Sequence, residues 1–216
     1  MVSEKITKVI IFDFDGVIVE SNDIKNKAFE IIFKRYPEHF DDVMQFHRNH
    51  VSLSRFDKFE YLLEKLGKGG NAVLKNELLL AFSRNTLEQM RMVPFVKGAI
   101  EFLLEKSTDI PIYLASVTPA DDLKKIISHL KLNSYFKKIY GCPPWNKPDA
   151  IRDIIAGEKC TPDEVVLIGD SAGDQRAAFE TGISFIARDS GLAFDDPAPA
   201  VILGDLENLA NYIKMN

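Results

Sequence analysis

The chain has 216 residues, of which 46% are hydrophobic and 27% charged, and its formal net charge is −5 at pH 7. This length and composition predict a globular protein with one large domain, or one domain that carries a smaller insertion. The acidic balance gives no general attraction to nucleic acid, and no apolar run is long enough for a membrane helix, so we expect neither partner. The N-terminus lacks an apolar signal-peptide region, and Cys142 and Cys160 lack the spacing of a disulfide framework or a zinc site. We therefore expect a cytoplasmic protein with two reduced thiols.

The first predicted element is a buried strand. Residues 9–12 read VIIF, an uninterrupted apolar run that is typical of a central strand buried on both faces of a parallel sheet. A long helical region follows, and we predict no strand between Ile18 and Pro94. Apolar residues at helical spacing, with Ser54 as a candidate N-cap, predict helices in this region at 22–35, 54–67 and 71–92.

Helices and strands alternate in the rest of the chain. The pattern predicts helices at 96–106, 119–130, 148–156, 174–181 and 205–214, and strands at 110–116, 137–141, 164–170, 183–187 and 200–203. Such alternation is typical of βαβ units and a parallel sheet. We therefore predict a doubly wound, Rossmann-like α/β core formed by residues 1–19 and 93–216, interrupted by a helical insertion at 20–92.

Polar side chains follow four of the predicted strands. Asp13 and Asp15 lie two positions apart after the first strand, so an extended backbone would point both carboxylates to one side. Two close carboxylates repel each other unless a cation or a shared proton relieves them. The later strands are followed by Ser116, Lys147, Asp170 and Asp174. Ligands of open α/β sheets bind at the carboxyl ends of the strands, so these groups would form one site with the composition that phosphoryl transfer needs.

Each of these motifs also has a simpler interpretation when it is taken alone. Asp15 and Gly16 form a common turn dipeptide, Ser116 could be a loop hydroxyl, and Lys147 could be a solvated lysine at a helix start. Asp170 and Asp174 could cap the next helix. A calcium-binding EF-hand loop is excluded because Gly16 comes only three residues after Asp13. The occurrence of all the motifs at strand ends favours a shared site.

The order DFDGV, Ser116, Lys147 and GDSAGD resembles the haloacid dehalogenase superfamily. The helical insertion after the first motif resembles the C1-type cap of this family, and the motifs are most similar to the phosphoglycolate phosphatase and β-phosphoglucomutase branch. The resemblance implies that Asp13 is a nucleophile that forms an aspartyl-phosphate. It implies that Asp15 protonates the leaving oxygen and then activates water.

The resemblance also implies the remaining roles in the site. Ser116 would bind the phosphate, with Thr118 as a second hydroxyl, and Lys147 would pair with the nucleophile and the transferred phosphoryl group. A Mg²⁺ ion would be bound by Asp13, the backbone carbonyl of Asp15 and Asp170, and Asp174 would support these ligands. Glu20 and Ser21 stand where relatives often carry an aspartate and a small polar residue, so the hinge into the cap is expected to differ.

We expect a Mg²⁺-dependent phosphatase that acts on a small phosphorylated metabolite, as a monomer or weak homodimer. A phosphomutase remains open as the alternative, whereas dehalogenases and phosphonate hydrolases lack an acid at the position of Asp15. A receiver domain that serves as a phosphorylation switch would be shorter and would lack the helical insertion. Arg55 resembles the cap arginine with which relatives bind a second anionic group, although it could equally be a surface residue near a helix start. His47 and His50 receive no role.

Overall fold

The computed structural model of the protein describes residues 6–51 and 53–215. The chain divides into two compact units, which we call the α/β unit (Met1–Glu20 and Pro94–Asn216) and the helical unit (Ser21–Val93). These limits lie one residue from the predicted ones. None of the helices in the described part of the chain is both long and apolar enough to cross a membrane.

The α/β unit contains a six-stranded parallel sheet. Its strands are β1 (Val9–Phe12), β2 (Ile112–Ser116), β3 (Lys138–Gly141), β4 (Val165–Gly169), β5 (Ser184–Arg188) and β6 (Ile202–Leu203). The strands lie in the order β3-β2-β1-β4-β5-β6, and every neighbouring pair is parallel. The predicted doubly wound α/β fold is therefore confirmed, with β1 in the interior of the sheet.

The position of β1 explains its composition. All four of its side chains are buried, because strands lie on both sides and helices cover the sheet. Phe12, its last residue, is level with Leu114 of β2 and Ile168 of β4. The helices of this unit are α5 (Ala99–Lys106), α6 (Ala120–His129), α7 (Lys147–Glu158) and α8 (Ala172–Thr181).

The helical unit consists of α1 (Asn22–Phe33), α2 (Phe40–Asn49), α3 (Arg55–Lys65) and α4 (Ala72–Met90). Helix α3 begins after the predicted N-cap Ser54, whose side chain accepts a hydrogen bond from the Asp57 N–H at 3.3 Å. The core of the unit is aromatic. Centroids of contacting rings lie 4.5–6.1 Å apart, in the range of favourable edge and tilted packing, among Phe29, Phe33, Phe59 and Phe82.

Two parts of the prediction differ from the structure. Helix α2 was not predicted, although Val43, Met44 and His47 give it a buried face. The helix predicted at 205–214 is wrong, because this segment contains only a short 3₁₀ helix at Leu209–Tyr212. The Leu206 N–H donates to the Lys97 carbonyl at 2.8 Å. This backbone group would have no partner in the first turn of a helix, and here a tertiary contact satisfies it.

Candidate active site

The two aspartates of the first motif lie where β1 ends and a tight turn begins. The Asp13 N–H donates to the Ile168 carbonyl of β4 at 2.9 Å, so the pairing of the sheet extends to Asp13. Gly16 then adopts a φ of +73°, which glycine tolerates without strain. Its N–H donates to the Val19 carbonyl at 2.8 Å and closes the turn. Both Asp13 and Asp15 are buried by this arrangement.

The carboxyl group of Asp15 faces two hydroxyls from the loop after β2. The Thr118 hydroxyl donates to Asp15 Oδ2 at 3.0 Å, and the Ser116 hydroxyl lies 3.5 Å from the same oxygen. Ser116 Oγ also accepts the Thr118 N–H at 3.0 Å, which fixes the loop. Gly141 makes this path possible, since a Cβ there would lie 2.6 Å from the Ala120 backbone nitrogen.

Lys147 connects two of the carboxylates. It is the first residue of α7, and Asn146 before it caps the helix by accepting the Asp149 N–H at 2.8 Å. Lys147 Nζ lies 3.0 Å from Asp13 Oδ1 and forms a second ion pair with Asp174. Only 8% of its side chain is exposed. A buried cation at a helix N-terminus is unfavourable by itself, so the two carboxylates must compensate for it.

The second acidic motif is organised by the start of α8. Ser171 is the N-cap, and its hydroxyl accepts the Asp174 N–H at 3.4 Å. In return, Asp174 Oδ2 accepts from the Asp170 N–H at 3.2 Å, the Ser171 N–H at 3.1 Å and the Ser171 hydroxyl at 2.7 Å. Asp174 therefore uses one oxygen to order the loop and the other to bind Lys147. Gly169 leaves room for it, because a Cβ there would lie 2.6 Å from Asp174 Cγ.

Burial and carboxylate repulsion dominate the electrostatics of the site. Burial raises the pKa of Asp13 to about 8, Lys147 acts to lower it, and Asp174, Asp170 and Asp15 raise it further. Burial alone would lower the pKa of Lys147, but Asp13 and Asp174 outweigh this effect and raise it. One ammonium group thus serves several carboxylates, and negative charge remains in excess.

The donor atoms fit a divalent cation. Oxygens of Asp13, Asp170 and Asp174 all lie within 4.8 Å of one another, and all three residues are buried. A donor set of carboxylate oxygens only is the kind that Mg²⁺ prefers, and a cation would offset the excess negative charge. The Asp15 side chain is outside this set and faces the hydroxyls instead.

The predicted site residues of the α/β unit thus come together beyond the carboxyl ends of β1, β2, β3 and β4. Arg55 belongs to the helical unit, where its guanidinium lies 5.8 Å from the Phe56 ring centroid and 5.4 Å from that of Phe82. Sequence reasoning missed the ordering role of Ser171, which the spacing of Ser171 and Asp174 as a helix cap could have indicated. It also gave no role to Arg188, the residue directly after the strand predicted at 183–187.

Comparisons with known proteins agree with this geometry. A family described as haloacid dehalogenase-like hydrolase matches residues 10–188. No curated protein sequence matches the chain significantly.

Solved structures similar to this chain share its fold at low sequence identity. A protein described as a predicted phosphoglycolate phosphatase, from Haemophilus somnus, superposes with a TM-score of 0.76 at 15% identity, covering 96% of this chain and 98% of its own. CbbY from Rhodobacter sphaeroides, solved with phosphate, gives 0.73 at 17% identity, covering 94% and 96%. A variant of CbbY was solved with xylulose-1,5-bisphosphate. YfnB from Bacillus subtilis, bound to magnesium, gives 0.71 at 15% identity, covering 96% and 98%.

Proposed function

This chain belongs to the haloacid dehalogenase-like hydrolase family, and from this premise we propose that it is a Mg²⁺-dependent phosphatase of a small phosphorylated metabolite. The observation that carries the proposal is the arrangement of the two aspartates. Asp13 pairs with Lys147 at 3.0 Å, whereas the Asp15 carboxyl is bound by the Thr118 hydroxyl at 3.0 Å. The two carboxyl groups therefore have different surroundings, as a nucleophile and a proton carrier require.

The first chemical step is the transfer of the phosphoryl group to Asp13. A carboxylate oxygen of Asp13 attacks the phosphorus atom, the phosphorus–oxygen ester bond breaks, and the leaving oxygen takes a proton from the Asp15 carboxyl. Ser116 and Thr118 donate hydrogen bonds at the same edge of the sheet, and Lys147 offers positive charge to the transferred oxygens. The products of this step are an alcohol and an aspartyl-phosphate.

The second step is hydrolysis of the aspartyl-phosphate. Asp15, now ionised, removes a proton from a water molecule, whose oxygen attacks phosphorus and displaces the Asp13 carboxylate. Inorganic phosphate leaves, and both aspartates return to their starting states. Asp13, Asp170 and the backbone carbonyl of Asp15 would hold Mg²⁺, with Asp174 orienting the loop. When it is bound, the ion supplies charge neutralisation for the phosphoryl oxygens.

Phosphate release with and without metal tests this proposal. Wild-type protein should release phosphate over many turnovers from p-nitrophenyl phosphate and from members of a phosphorylated-metabolite panel, and excess chelator should abolish release. Asp13→Asn should abolish the phosphoenzyme detected by intact-protein mass measurement, whereas Asp15→Asn should lower turnover about 10²- to 10⁴-fold. A phosphoenzyme in Asp13→Asn, or full activity in chelator, would refute the assignment. Transfer of phosphate to a sugar in place of water would identify a phosphomutase.

We also propose that the helical unit acts as a C1-type cap and that Arg55 binds a second anionic group of the substrate. Xylulose-1,5-bisphosphate in the CbbY variant is a ligand of this class. Arg55→Ala should then lower kcat/KM for a bisphosphate about ten- to a hundred-and-fifty-fold, the value of one charge-assisted hydrogen bond, and should spare p-nitrophenyl phosphate. Equal losses on both substrates, or no loss, would remove Arg55 from the site.

A further inference from the structure

Arg188 connects three segments at the carboxyl edge of the sheet. It is the last residue of β5, and only 10% of its side chain is exposed. Its Nη1 donates to Glu20 Oε2 at 3.0 Å, and Nη2 bonds to Glu20 Oε1, which makes the pair bidentate. Nη1 also donates to the Gly16 carbonyl at 3.2 Å, and Nε to the Gly204 carbonyl at 3.3 Å. Each side of the guanidinium therefore has an acceptor.

The Gly16 carbonyl is the significant partner, because Gly16 directly follows Asp15. The peptide between Asp15 and Gly16 is held by the bond from the Gly16 N–H to the Val19 carbonyl at 2.8 Å. The next peptide is held by Arg188. Glu20 in turn orients Arg188 through a planar fork that a lysine could not reproduce. Glu20 is itself anchored, since its N–H donates to the Pro94 carbonyl at 2.9 Å.

We infer that Arg188 and Glu20 are positioning residues that set the orientation of Asp15 for proton transfer to the leaving group. Neither residue is argued to touch the substrate. The turn from Asp15 to Glu20 is short, so a shift of the Gly16 carbonyl displaces the adjacent Asp15 backbone and its carboxyl. A displacement of about 1 Å can cost about 10²-fold in rate even when it originates away from the reacting atoms. This inference rests on the phosphatase function proposed above.

The test compares two substrates that need the acid to different degrees. A poor leaving group, as in propyl phosphate, requires protonation as its ester bond breaks, whereas p-nitrophenolate leaves without it. Arg188→Gln should lower kcat/KM for propyl phosphate about 10- to 100-fold and change that for p-nitrophenyl phosphate less than about threefold. Glu20→Gln should move the ratio in the same direction by a smaller factor, because Arg188 keeps its bonds to Gly16 and Gly204.

Arg152→Gln is the matched control. Arg152 also makes two ion pairs, with Asp149 at 2.9 Å and Glu180 at 2.5 Å, but its side chain is 51% exposed. Its substitution should leave the substrate ratio unchanged. Equal losses on both substrates in Arg188→Gln would mean a structural role only and would overturn the inference. If Arg188→Gln does not fold, Glu20→Gln provides the test. An unchanged ratio of kcat/KM for the two substrates in Glu20→Gln would also overturn the inference. Failure of the wild-type protein to hydrolyse either ester would instead refute the phosphatase function itself.

Discussion

The α/β unit and the helical unit both bury charged side chains, but they compensate for them differently. In the candidate site, at the carboxyl ends of the strands, Lys147 forms ion pairs with both Asp13 and Asp174. In the helical unit, Lys58 is buried with its Nζ 5.1 Å from the Phe29 ring centroid and 3.3 Å from the Val51 carbonyl oxygen. Within the part of the chain that the structure describes, Lys58 forms no ion pair with a carboxylate.

The pKa directions follow from this difference. Burial lowers the pKa of His47 to about 3, helped by the charges of Lys58 and Arg48, and lowers that of Lys58 to about 7, helped by Lys25. His47 is therefore buried as a neutral ring, with Nε2 2.9 Å from Asn26 Oδ1. The α/β unit instead raises the pKa of Lys147 and keeps its charge. Counter-charges keep Lys147 ionised in the candidate site, whereas burial without counter-charges lowers the pKa values of Lys58 and His47.

The largest expected effect comes from removing the buried ammonium group that pairs with Asp13 and Asp174. Lys147→Met should lower the free energy of unfolding by about 3–5 kcal/mol, because it leaves buried carboxylates without their partner. It should also reduce the proposed phosphatase activity to background, since it removes the charge that we propose to face the transferred phosphoryl group. Urea denaturation at pH 7 and phosphate release measure the two effects.

Lys97→Met is the control for charge removal as such. Lys97 pairs with Glu207 at 2.7 Å, but the two side chains are 69% and 47% exposed. Exposed ion pairs contribute little to stability because water screens them, so this variant should be about as stable as the wild type and remain active. Similar stability losses in the two variants would contradict the view that the buried carboxylates of the candidate site need Lys147 as their counter-charge.

A second prediction concerns the space that Asp174 needs. Gly169→Ala places a Cβ 2.6 Å from Asp174 Cγ, so Asp174 must move away from the loop that it orders and from Lys147. We expect a loss of about 1–3 kcal/mol in the free energy of unfolding, the usual cost of overpacking, together with reduced activity. Denaturation and phosphate release again provide the measurements.

The matched glycine is Gly157 in α7, where an added Cβ would meet nothing within 4 Å. Gly157→Ala should stabilise the protein by up to about 1 kcal/mol, because alanine favours the helix more than glycine does. Equal stability of the two alanine variants would mean that the protein does not need a glycine at position 169 to accommodate Asp174.

Strong local patterns predicted most of the fold, and tertiary contacts account for what they missed. The uninterrupted apolar run of β1 and the alternation of helices and strands after Pro94 are both visible in the local sequence. Residues 205–214 do not form the predicted α-helix. The Leu206 N–H instead donates to the Lys97 carbonyl, a tertiary contact that no local sequence pattern contains. Helix α2 was missed because its buried face includes His47, a polar residue whose ring packs against Phe29.

The candidate site shows the same division. The motif residues follow strands and could be identified by position and by family resemblance. The pair of Arg188 and Glu20 could not, since its members are 168 residues apart and each is ordinary in its own segment. Pairing of this kind becomes visible only when the sheet order brings β5 near the turn after β1.

The effect expected for the buried lysine of the helical unit is a change of stability with pH. Lys58→Met substitutes an unbranched apolar side chain that is one atom shorter and does not titrate. In the wild-type protein the native state releases the Lys58 proton near pH 7, whereas the unfolded chain keeps it up to about the ordinary pKa of 10.5. Between these values the unfolded state binds more protons, so the contribution of Lys58 to stability rises with pH. The variant lacks this rise.

The stability of Lys58→Met relative to wild type should therefore be greatest near pH 7 and should decrease toward pH 9, by at most about 1.4 kcal/mol per pH unit. Urea denaturation at pH 7, 8 and 9 measures this slope. Lys97→Met serves as the control, because its hydrogen bond to Glu207 raises the pKa of Lys97, and both states then keep the proton over this range. Its stability difference should be flat. A flat difference for Lys58→Met as well would mean that Lys58 stays charged in the native protein. The conclusion that burial lowers the pKa of Lys58 in the helical unit would then be wrong.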